Sequence, residues 1–212
     1  MFTETDLEVM QSIISRYPRS RSAIMPLLHY VQSKAGYVTN EGIELISELL
    51  TIETAEVSAV ATFYTQYKRK PVGEYHVGVC TNTLCAVMGG DAILEVLKSH
   101  LGIENDGVTS DGKVSLEHIE CNAACDYAPV VMANWEFYDN QTVQSAKDLV
   151  DGMRKGKPTP PTRGPDSLPT WKENSAVLAG LNDGRANEGI QAGEPTLLGL
   201  VIAQSKKGGK KK

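Results

Sequence analysis

Four cysteines are the residues of this chain whose type and spacing could carry chemistry. Cys80 and Cys85 are separated by four residues, Cys121 and Cys125 by three, and 35 residues lie between the two pairs. Four thiolates form the ligand set of a structural zinc ion or of an iron–sulfur cluster. Zinc sites generally use tighter spacings than these pairs show, whereas a binuclear cluster accommodates wider pairs. The spacing therefore favours a cluster and leaves zinc as an alternative.

Thiol chemistry without a metal is the other interpretation of these cysteines. Neither pair has the Cys-x-x-Cys spacing of a thioredoxin-type oxidoreductase. Structural disulfides belong mainly to exported proteins, and the acidic residues of segment 1–6 stand where a secretory signal would carry Lys or Arg. We therefore expect a chain without an export signal, in which metal or redox sites are more common than disulfides.

Residues beside the cysteine pairs suggest how the backbone is shaped there. Gly89 and Gly90 would allow backbone N–H groups to approach cluster sulfur, although they could equally start a helix. Pro129, four residues after Cys125, fits either a strand start or a rigid turn that holds the second cysteine loop.

The first seventy residues have the apolar spacing of short amphipathic helices. The capping-box pattern Thr5-x-x-Glu8 predicts the start of the first helix. Ser22 is the predicted cap of the second helix, which should end at Gly36. Two further helices are predicted, one from Asn40 and one that ends before segment 71–73. These elements indicate a small helical bundle.

From residue 74 the pattern changes to strands that alternate with helices. Strands are predicted at 75–79, 116–120, 129–133 and 136–139, and helices from about Gly90 and Thr142. The first two strands lead directly into Cys80 and Cys121. This order is typical of a compact α/β layer with the cysteines in loops that follow strands.

The charge is distributed unevenly along the chain. The net charge of −5 divides into −10 for residues 1–150, with 10 Lys and Arg against 20 Asp and Glu, and +5 for residues 151–212, with 11 against 6. The second stretch also holds 6 of the 10 prolines and 10 of the 19 glycines, as an extended tail would. The acidic balance argues against general nucleic-acid binding, and the longest apolar stretch, 197–203, is too short to span a bilayer.

Longer motifs surround the cysteines, and other motifs lie near the N-terminus. They are CTNTLCAVMGG at 80–90, ECNAACDYAP at 120–129, RYP at 16–18, LHYVQ at 28–32, GYV at 36–38 and VATFY at 60–64. In order and spacing, residues from about 10 to 155 resemble the thioredoxin-like [2Fe–2S] ferredoxin subunit of NADH-quinone oxidoreductase (respiratory complex I), the 24 kDa subunit family.

The resemblance implies an α+β fold and one [2Fe–2S] cluster. Cys80 and Cys85 would hold one iron, and Cys121 and Cys125 the other. Residues 1–72 would form an N-terminal helical bundle and residues 73–155 a thioredoxin-like [2Fe–2S] domain. Residues 156–212 lie outside the family's core, and we expect an extended, partner-binding tail whose lysine-rich end is disordered.

The resemblance also implies a function. The chain would be an electron-transfer subunit of NADH-quinone oxidoreductase whose cluster exchanges electrons with the FMN of the NADH-binding flavoprotein subunit. It would have no catalytic residues and no complete active site of its own. We expect contacts with other peripheral-arm subunits on the cytoplasmic side of the membrane, without membrane insertion or nucleic-acid binding. The alternatives are the equivalent subunit of a soluble NAD-linked hydrogenase or formate dehydrogenase, and a structural zinc-binding interaction module.

Three positions depart from the pattern that the family often shows. Met88 stands where the family often has Arg, Asn122 and Ala123 replace a common Leu-Gly, and Trp135 replaces an acid in the strand predicted after Pro129. None of these departures removes a ligand, but each changes the polarity near the cluster. We also expect the acids Glu120 and Asp126 to lower the reduction potential.

Overall fold

The computed structural model describes residues 2–208 and divides them into two compact units. The first unit takes in the chain up to Tyr75, together with Ser110–Lys113 and Pro169–Gly184. The second takes in His76–Thr109, Val114–Leu168 and the chain from Arg185 onward. Helices build the first unit, whereas the second contains the sheet and all four cysteines. The predicted mixture of N-terminal helices and a sheet is confirmed.

The described residues form helices and strands in the following order: α1 (Glu4–Ser15), α2 (Ile24–Ala35), α3 (Asn40–Leu50), α4 (Thr54–Phe63), β1 (Tyr75–Cys80), α5 (Thr83–Val87), α6 (Gly90–Leu101), β2 (Gly107–Val108), β3 (Val114–Ile119), β4 (Val131–Ala133), β5 (Glu136–Tyr138), α7 (Val143–Arg154), α8 (Trp171–Leu178) and α9 (Glu194–Gly208).

The N-cap of helix α1 is Thr3, two residues before the predicted cap at Thr5. The Thr3 side chain accepts a hydrogen bond from the Asp6 N–H at 3.2 Å, and the Asp6 carboxylate accepts one from the Thr3 N–H at 2.9 Å. Asp6 also accepts hydrogen bonds from Tyr30 and Lys34 of α2, each at 2.7 Å. Contacts with α2 thus select Thr3 and Asp6 as the capping box, and the prediction of Thr5 and Glu8 was wrong.

Helix α2 starts without the side-chain cap predicted at Ser22. A short 3₁₀ turn at Ser20–Ala23 precedes the helix and leads into it. Gly36 ends α2 with φ +87°, as predicted, because a residue without a Cβ adopts this left-handed conformation at little cost.

The core of the first unit includes a helix from the segment predicted to be a tail. Ile13, Leu27 and Ile46 are fully buried in this core, and Ala179 joins them from just beyond α8. Trp171 of α8 is buried, and its indole N–H donates to the Gly36 carbonyl oxygen at 2.7 Å. Residues 169–184 therefore complete the helical unit, in contrast to the extended conformation expected for 156–212.

The sheet of the second unit has the strand order β2-β3-β1-β4-β5. The pairs β2–β3, β1–β4 and β4–β5 are antiparallel. Helix α6 buries Ile93 and Leu97, and α7 buries Leu149 and Met153. The side chains of His100 and Asp151 join α6 to α7 at 2.7 Å. This sheet positions the cysteines, since β1 and β3 each end at a cysteine loop.

Trp135 lies in the turn between the strands predicted at 129–133 and 136–139, and not within a strand as the comparison with the family pattern had placed it. Ala133 pairs with Glu136, so that β4 and β5 are joined by the two residues Asn134 and Trp135. Their φ angles of +49° and +68° are those of the type I′ turn that suits a two-residue hairpin loop.

After α7 the chain runs along the outer edge of β5. The Thr162 N–H donates to the Phe137 carbonyl oxygen at 2.8 Å. Arg163 donates to both carboxylate oxygens of Asp139, at 2.8 and 3.1 Å, and its guanidinium lies 4.0 Å from the Phe137 ring centre. A buried, bidentate ion pair of this kind fixes the segment geometrically. The first residues after α7 are therefore attached to the sheet.

The last described element, α9, is helical where an extended tail was expected. None of the described helices has the length and apolar character needed to cross a bilayer. Disorder was expected at the lysine-rich end. From residue 209 onward this end lies outside the described residues.

Buried His29 provides a test of the helical unit. Its ring lies 4.7 Å from the Tyr67 ring, and burial lowers its pKa from the ordinary 6.5 to about 4. Between these values the unfolded chain binds a proton that the folded chain does not. The contribution of neutral His29 to the free energy of unfolding should be fully present above pH 6.5. It should fall by about 1.4 kcal/mol per pH unit as the pH decreases toward 4.

We expect urea unfolding at pH 7.5 and pH 5.0 to differ by about 2 kcal/mol through His29. His29→Phe should reduce this difference, because phenylalanine keeps a ring against Tyr67 but cannot bind a proton. Asp6 does not interfere between pH 7.5 and 5.0, since its ordinary pKa of 3.8 lies below this range and the hydrogen bond from Lys34 lowers it further in the folded chain. An equal pH dependence in both proteins would contradict the assignment.

Candidate metal centre

The first cysteine pair is buried. Cys80 is the last residue of β1 and is 2% exposed, whereas Cys85 lies in the short helix α5 and is 3% exposed. The Cys80 N–H donates to the Val130 carbonyl oxygen at 3.1 Å, and the side chains of the two cysteines hydrogen-bond to each other. The strand and α5 thus bring this pair of sulfurs together inside the protein.

The second pair is exposed. Cys121 follows β3, and Cys125 begins a short 3₁₀ turn, Cys125–Tyr127. Their sulfur atoms are 3.6 Å apart, too far for a disulfide bond of about 2.05 Å. Two thiolates on one tetrahedral ion, with bonds of about 2.3 Å, would lie roughly 3.8 Å apart. The observed separation suits two ligands of one metal ion.

The two pairs interact electrostatically. Burial raises the pKa of Cys85 to about 11, and the charge of Cys125 acts in the same direction. The pKa of Cys125 is raised chiefly by its hydrogen bond with Cys121, and the charge of Cys80 also contributes. Each pair thus disfavours ionisation of the other. A bound metal ion reverses this effect, because coordination deprotonates a thiol.

Hydrogen-bond donors lie close to the sulfurs. The Ala123 N–H is 3.4 Å from the Cys121 sulfur, and the Val130 N–H donates to Cys85. The Asn82 side chain donates to the Ile119 carbonyl oxygen at 3.2 Å and lies 4.0 Å from the Cys80 sulfur. Asn82 was missed by sequence reasoning, and its only signal was its position between two cysteines. Such donors stabilise negative charge on sulfur and raise a reduction potential.

Gly90 brings α6 against the backbone of both buried cysteines. A Cβ at this position would lie 2.4 Å from the Cys80 carbonyl oxygen and 2.9 Å from that of Cys85. Gly89 has φ +110°, and its N–H donates to the Ala86 carbonyl oxygen at 3.0 Å. Gly90 is therefore needed for close backbone packing, whereas Gly89 is favoured by its positive φ. The N–H of Gly89 bonds to a carbonyl group instead of sulfur.

An apolar shell surrounds the cysteines. Ile119, Val130 and Met132 are buried with the first pair, and Trp135 packs against this group while partly exposed. The peptide bond between Ala128 and Pro129 is cis, as the rigid-turn interpretation of Pro129 allowed. Apolar surroundings limit the access of water to one side of the site.

The donor set has the form of two pairs. Among the described residues, no group of three or more His, Cys, Asp or Glu side chains is arranged to hold a single metal ion. A structural zinc ion requires four ligands around one centre, whereas a [2Fe–2S] cluster takes two cysteines on each of two irons. Two cysteines in each of two pairs are the donor set that such a cluster takes, so the residues present fit it.

The departures at Met88 and Ala123 change the edge of the site. Met88 is exposed just beyond α5. Ala123 adopts φ +56°, a left-handed conformation that favours glycine and costs an alanine about 1 kcal/mol. The second loop thus places an alanine in a conformation that a glycine would adopt without this cost.

Asp126 joins the second loop to α9. The Thr196 hydroxyl donates to the Asp126 carboxylate at 2.6 Å. The charge of Asp126 also contributes, after the larger effects of Cys121, to the raised pKa of Cys125. The role of Thr196 could not be inferred from the sequence, because 70 residues separate the two partners.

Comparison with known proteins gives a consistent result. A family model described as thioredoxin-like [2Fe-2S] ferredoxin matches residues 10–154. The E subunit of NADH-quinone oxidoreductase from Mycobacterium tuberculosis is 58% identical over 195 residues, which is 92% of this chain and 77% of that protein. The corresponding protein of Rickettsia bellii is 39% identical over 156 residues, 72% of this chain and 93% of its own length.

A solved structure supports the fold. An NAD+-reducing [NiFe]-hydrogenase in its H2-reduced state matches with a TM-score of 0.56 at 17% identity, over 64% of this chain and 23% of that chain. At this identity the likeness concerns the fold alone. The family model and the two relatives confirm the family resemblance noted in the sequence, whereas α8 and α9 lie beyond the residues that the family model matches.

Gly90→Ala tests the close packing at the first cysteine pair. The added methyl group would overlap the carbonyl oxygens of Cys80 and Cys85, so both residues must move. We expect a loss of about 1–3 kcal/mol in stability and a lower iron content per chain after reconstitution. Gly199→Ala is the control, because its Cβ would have no neighbour within 4 Å. Equal iron contents in the two variants would contradict the interpretation.

Proposed function

The chain belongs to the thioredoxin-like [2Fe–2S] ferredoxin family, and from this premise we propose that it is an electron-transfer subunit of an NADH-quinone oxidoreductase. The observation that carries the proposal is the convergence of four free cysteines as two interacting pairs. The names of its relatives, which are subunits of NADH-quinone oxidoreductases, supply the enzyme.

The ligand set follows from the pairs. Cys80 and Cys85 would hold one iron of a single [2Fe–2S] cluster, and Cys121 and Cys125 the other. When bound, such a cluster accepts and releases one electron at a time. The protein fixes the four sulfurs, places N–H donors from Ala123 and Val130 near them, and keeps water from the buried pair.

The exposed pair indicates the surface at which electrons are exchanged with a partner. Cys121 and Cys125 face solvent, and α5 exposes Leu84 and Val87 on either side of Cys85. Exposed apolar side chains beside a redox site are suited to burial by a partner protein. We assign this surface to the NADH- and FMN-binding flavoprotein subunit, within the peripheral part of the complex on the cytoplasmic side of the membrane.

The chain would act as one subunit of the enzyme. Hydride transfer from NADH requires the flavin, which we place in the partner, so this chain contributes no catalytic residue. The equivalent subunit of a soluble NAD-linked hydrogenase is a second candidate, because a hydrogenase of that type shares the fold. Identification of the subunits that co-purify with the chain separates the two candidates.

Cys125→Ala tests the ligand assignment. The purified protein should contain about two irons per chain and give a rhombic electron paramagnetic resonance signal when reduced. Because Cys125 is exposed, its loss should remove the cluster without unfolding the apolar shell. We expect iron to fall severalfold and the signal to disappear.

Asn122→Ala in the same exposed loop is the matched control and should retain its iron. Circular dichroism of both variants reports whether the fold is kept. A colourless wild-type protein that contains zinc, or a Cys125→Ala variant with unchanged iron, would exclude the assignment.

Asp126→Asn tests the influence of charge on the potential. A carboxylate beside Cys125 disfavours the addition of an electron, so removing its charge should raise the reduction potential. Because solvent screens this exposed group, we expect a rise of some tens of millivolts. Spectroscopic titration measures the midpoint. Asp148→Asn in α7 makes the same charge change outside the cysteine loops and should shift the midpoint less. A lower potential in Asp126→Asn than in the wild type would contradict the hypothesis.

A further inference from the structure

Helix α9 exposes apolar side chains over more than half of its circumference. Leu197, Leu198, Leu200, Val201 and Ile202 are between 42% and 58% exposed. Successive residues of a helix point about 100° apart, so these five positions cover an arc of about 200°, and Gly199 and Ala203 lie in the remaining sector. So wide an apolar arc, opposed by small uncharged residues, is characteristic of a buried element. The described part of the chain leaves α9 largely uncovered.

The charge pattern of α9 favours a protein surface over a lipid surface. Between Glu194 and Ser205 the only ionisable residue is Glu194, and lysines occur only from residue 206 onward. A helix that lies in a membrane interface needs a polar face with Lys or Arg along its length. Between residues 195 and 205 α9 lacks such charged residues, and an apolar groove of a protein would cover its wide apolar arc.

The start of α9 is fixed beside the exposed cysteines. The Thr196 hydroxyl donates to Asp126, the residue after Cys125, at 2.6 Å. A Cβ on Gly193 would lie 2.4 Å from the Tyr127 hydroxyl, which shows how closely the segment before the helix approaches the same 3₁₀ turn. A subunit that covers Cys121 and Cys125 would therefore meet the first turn of α9.

We propose that α9 docks into an apolar groove of the same subunit that covers the exposed cysteine pair. This inference rests on the proposed function, which identifies that subunit as the NADH- and FMN-binding flavoprotein. The helix would add a second contact beside the redox site and hold the partner at the loop that carries Cys125. It lies outside the residues matched by the family model, which end at 154.

The structure determines which variant can test this proposal. A deletion of residues 160–212 would remove Arg163, which neutralises buried Asp139, and Trp171, which completes the helical unit. Such a deletion would weaken assembly by unfolding the chain. Substitution of Leu198, Val201 and Ile202 by glutamine changes only exposed positions, and glutamine is itself a good helix former.

The experiment compares binding to the purified flavoprotein subunit of the same oxidoreductase. The full chain, the triple glutamine variant and a control, Met25→Gln with Val108→Gln, are each reconstituted with iron. The control removes two partly exposed apolar side chains from α2 and β2. Calorimetry gives the dissociation constant, and iron content with the paramagnetic signal reports the site independently.

We expect the triple variant to bind at least about tenfold more weakly, with unchanged iron, while the control binds like the wild type. Equal affinity of the triple variant and the wild type would overturn the role of α9 and leave the proposed function intact. An equal loss in the control would also overturn it, since the effect would not be specific to α9.

Three further outcomes are informative. An iron-loaded wild type that does not bind the flavoprotein subunit would overturn the partner assignment and, with it, the inference. Loss of iron in the triple variant would overturn docking, because α9 would then serve the site itself. The wild type and the triple variant could also be compared on vesicles of phosphatidylglycerol and phosphatidylcholine. If only the wild type bound these vesicles, and both proteins bound the flavoprotein subunit equally, α9 would be assigned to lipid.

Discussion

The electrostatic interaction between the two cysteine pairs is the constraint on which the cysteine site depends. Burial raises the pKa of Cys85 to about 11, and the pKa of Cys125 is raised chiefly by its hydrogen bond with Cys121. Ionisation of Cys85 and Cys125 is therefore disfavoured in the chain alone and is linked to the binding of positive charge. The N–H groups of Ala123 and Val130 supply part of the compensation. The close approach of Gly90 fixes the backbone on which these donors and sulfurs are held.

Local sequence patterns predicted the parts of the site that local physics decides. The strands that lead into Cys80 and Cys121 follow from alternating apolar residues, and Gly36 follows from the need for a left-handed residue at a helix end. The predicted strands left residues 134 and 135 between them, but the positive φ of Trp135 was not foreseen because tryptophan has no preference for it. The pairing of Ala133 with Glu136 imposes that conformation. The capping box moved to Thr3 for a similar reason, since Tyr30 and Lys34 bind Asp6 across the bundle.

Contacts between distant positions explain why the C-terminal third was misjudged. Its proline and glycine content is typical of an extended chain, yet single anchors order it. Arg163 neutralises Asp139, and Trp171 reaches Gly36 through one hydrogen bond across 135 residues. Composition averages over such anchors and does not reveal them. Residues that follow the family's core thus belong to both compact units. One or two side chains attach them to each unit, through a buried aromatic ring or a bidentate ion pair.

The exposure of Cys121 and Cys125 connects the cysteine site with assembly. Adding an electron to a thiolate-bound centre increases its negative charge, and water stabilises that charge better than an apolar protein surface does. In the proposed complex, a partner that covers the second pair removes this water, which should lower the potential relative to the isolated chain. The hydrogen bond from Thr196 to Asp126 lies at the same boundary. Covering the loop would strengthen the field of the carboxylate through the lower local dielectric, so docking and potential are physically coupled.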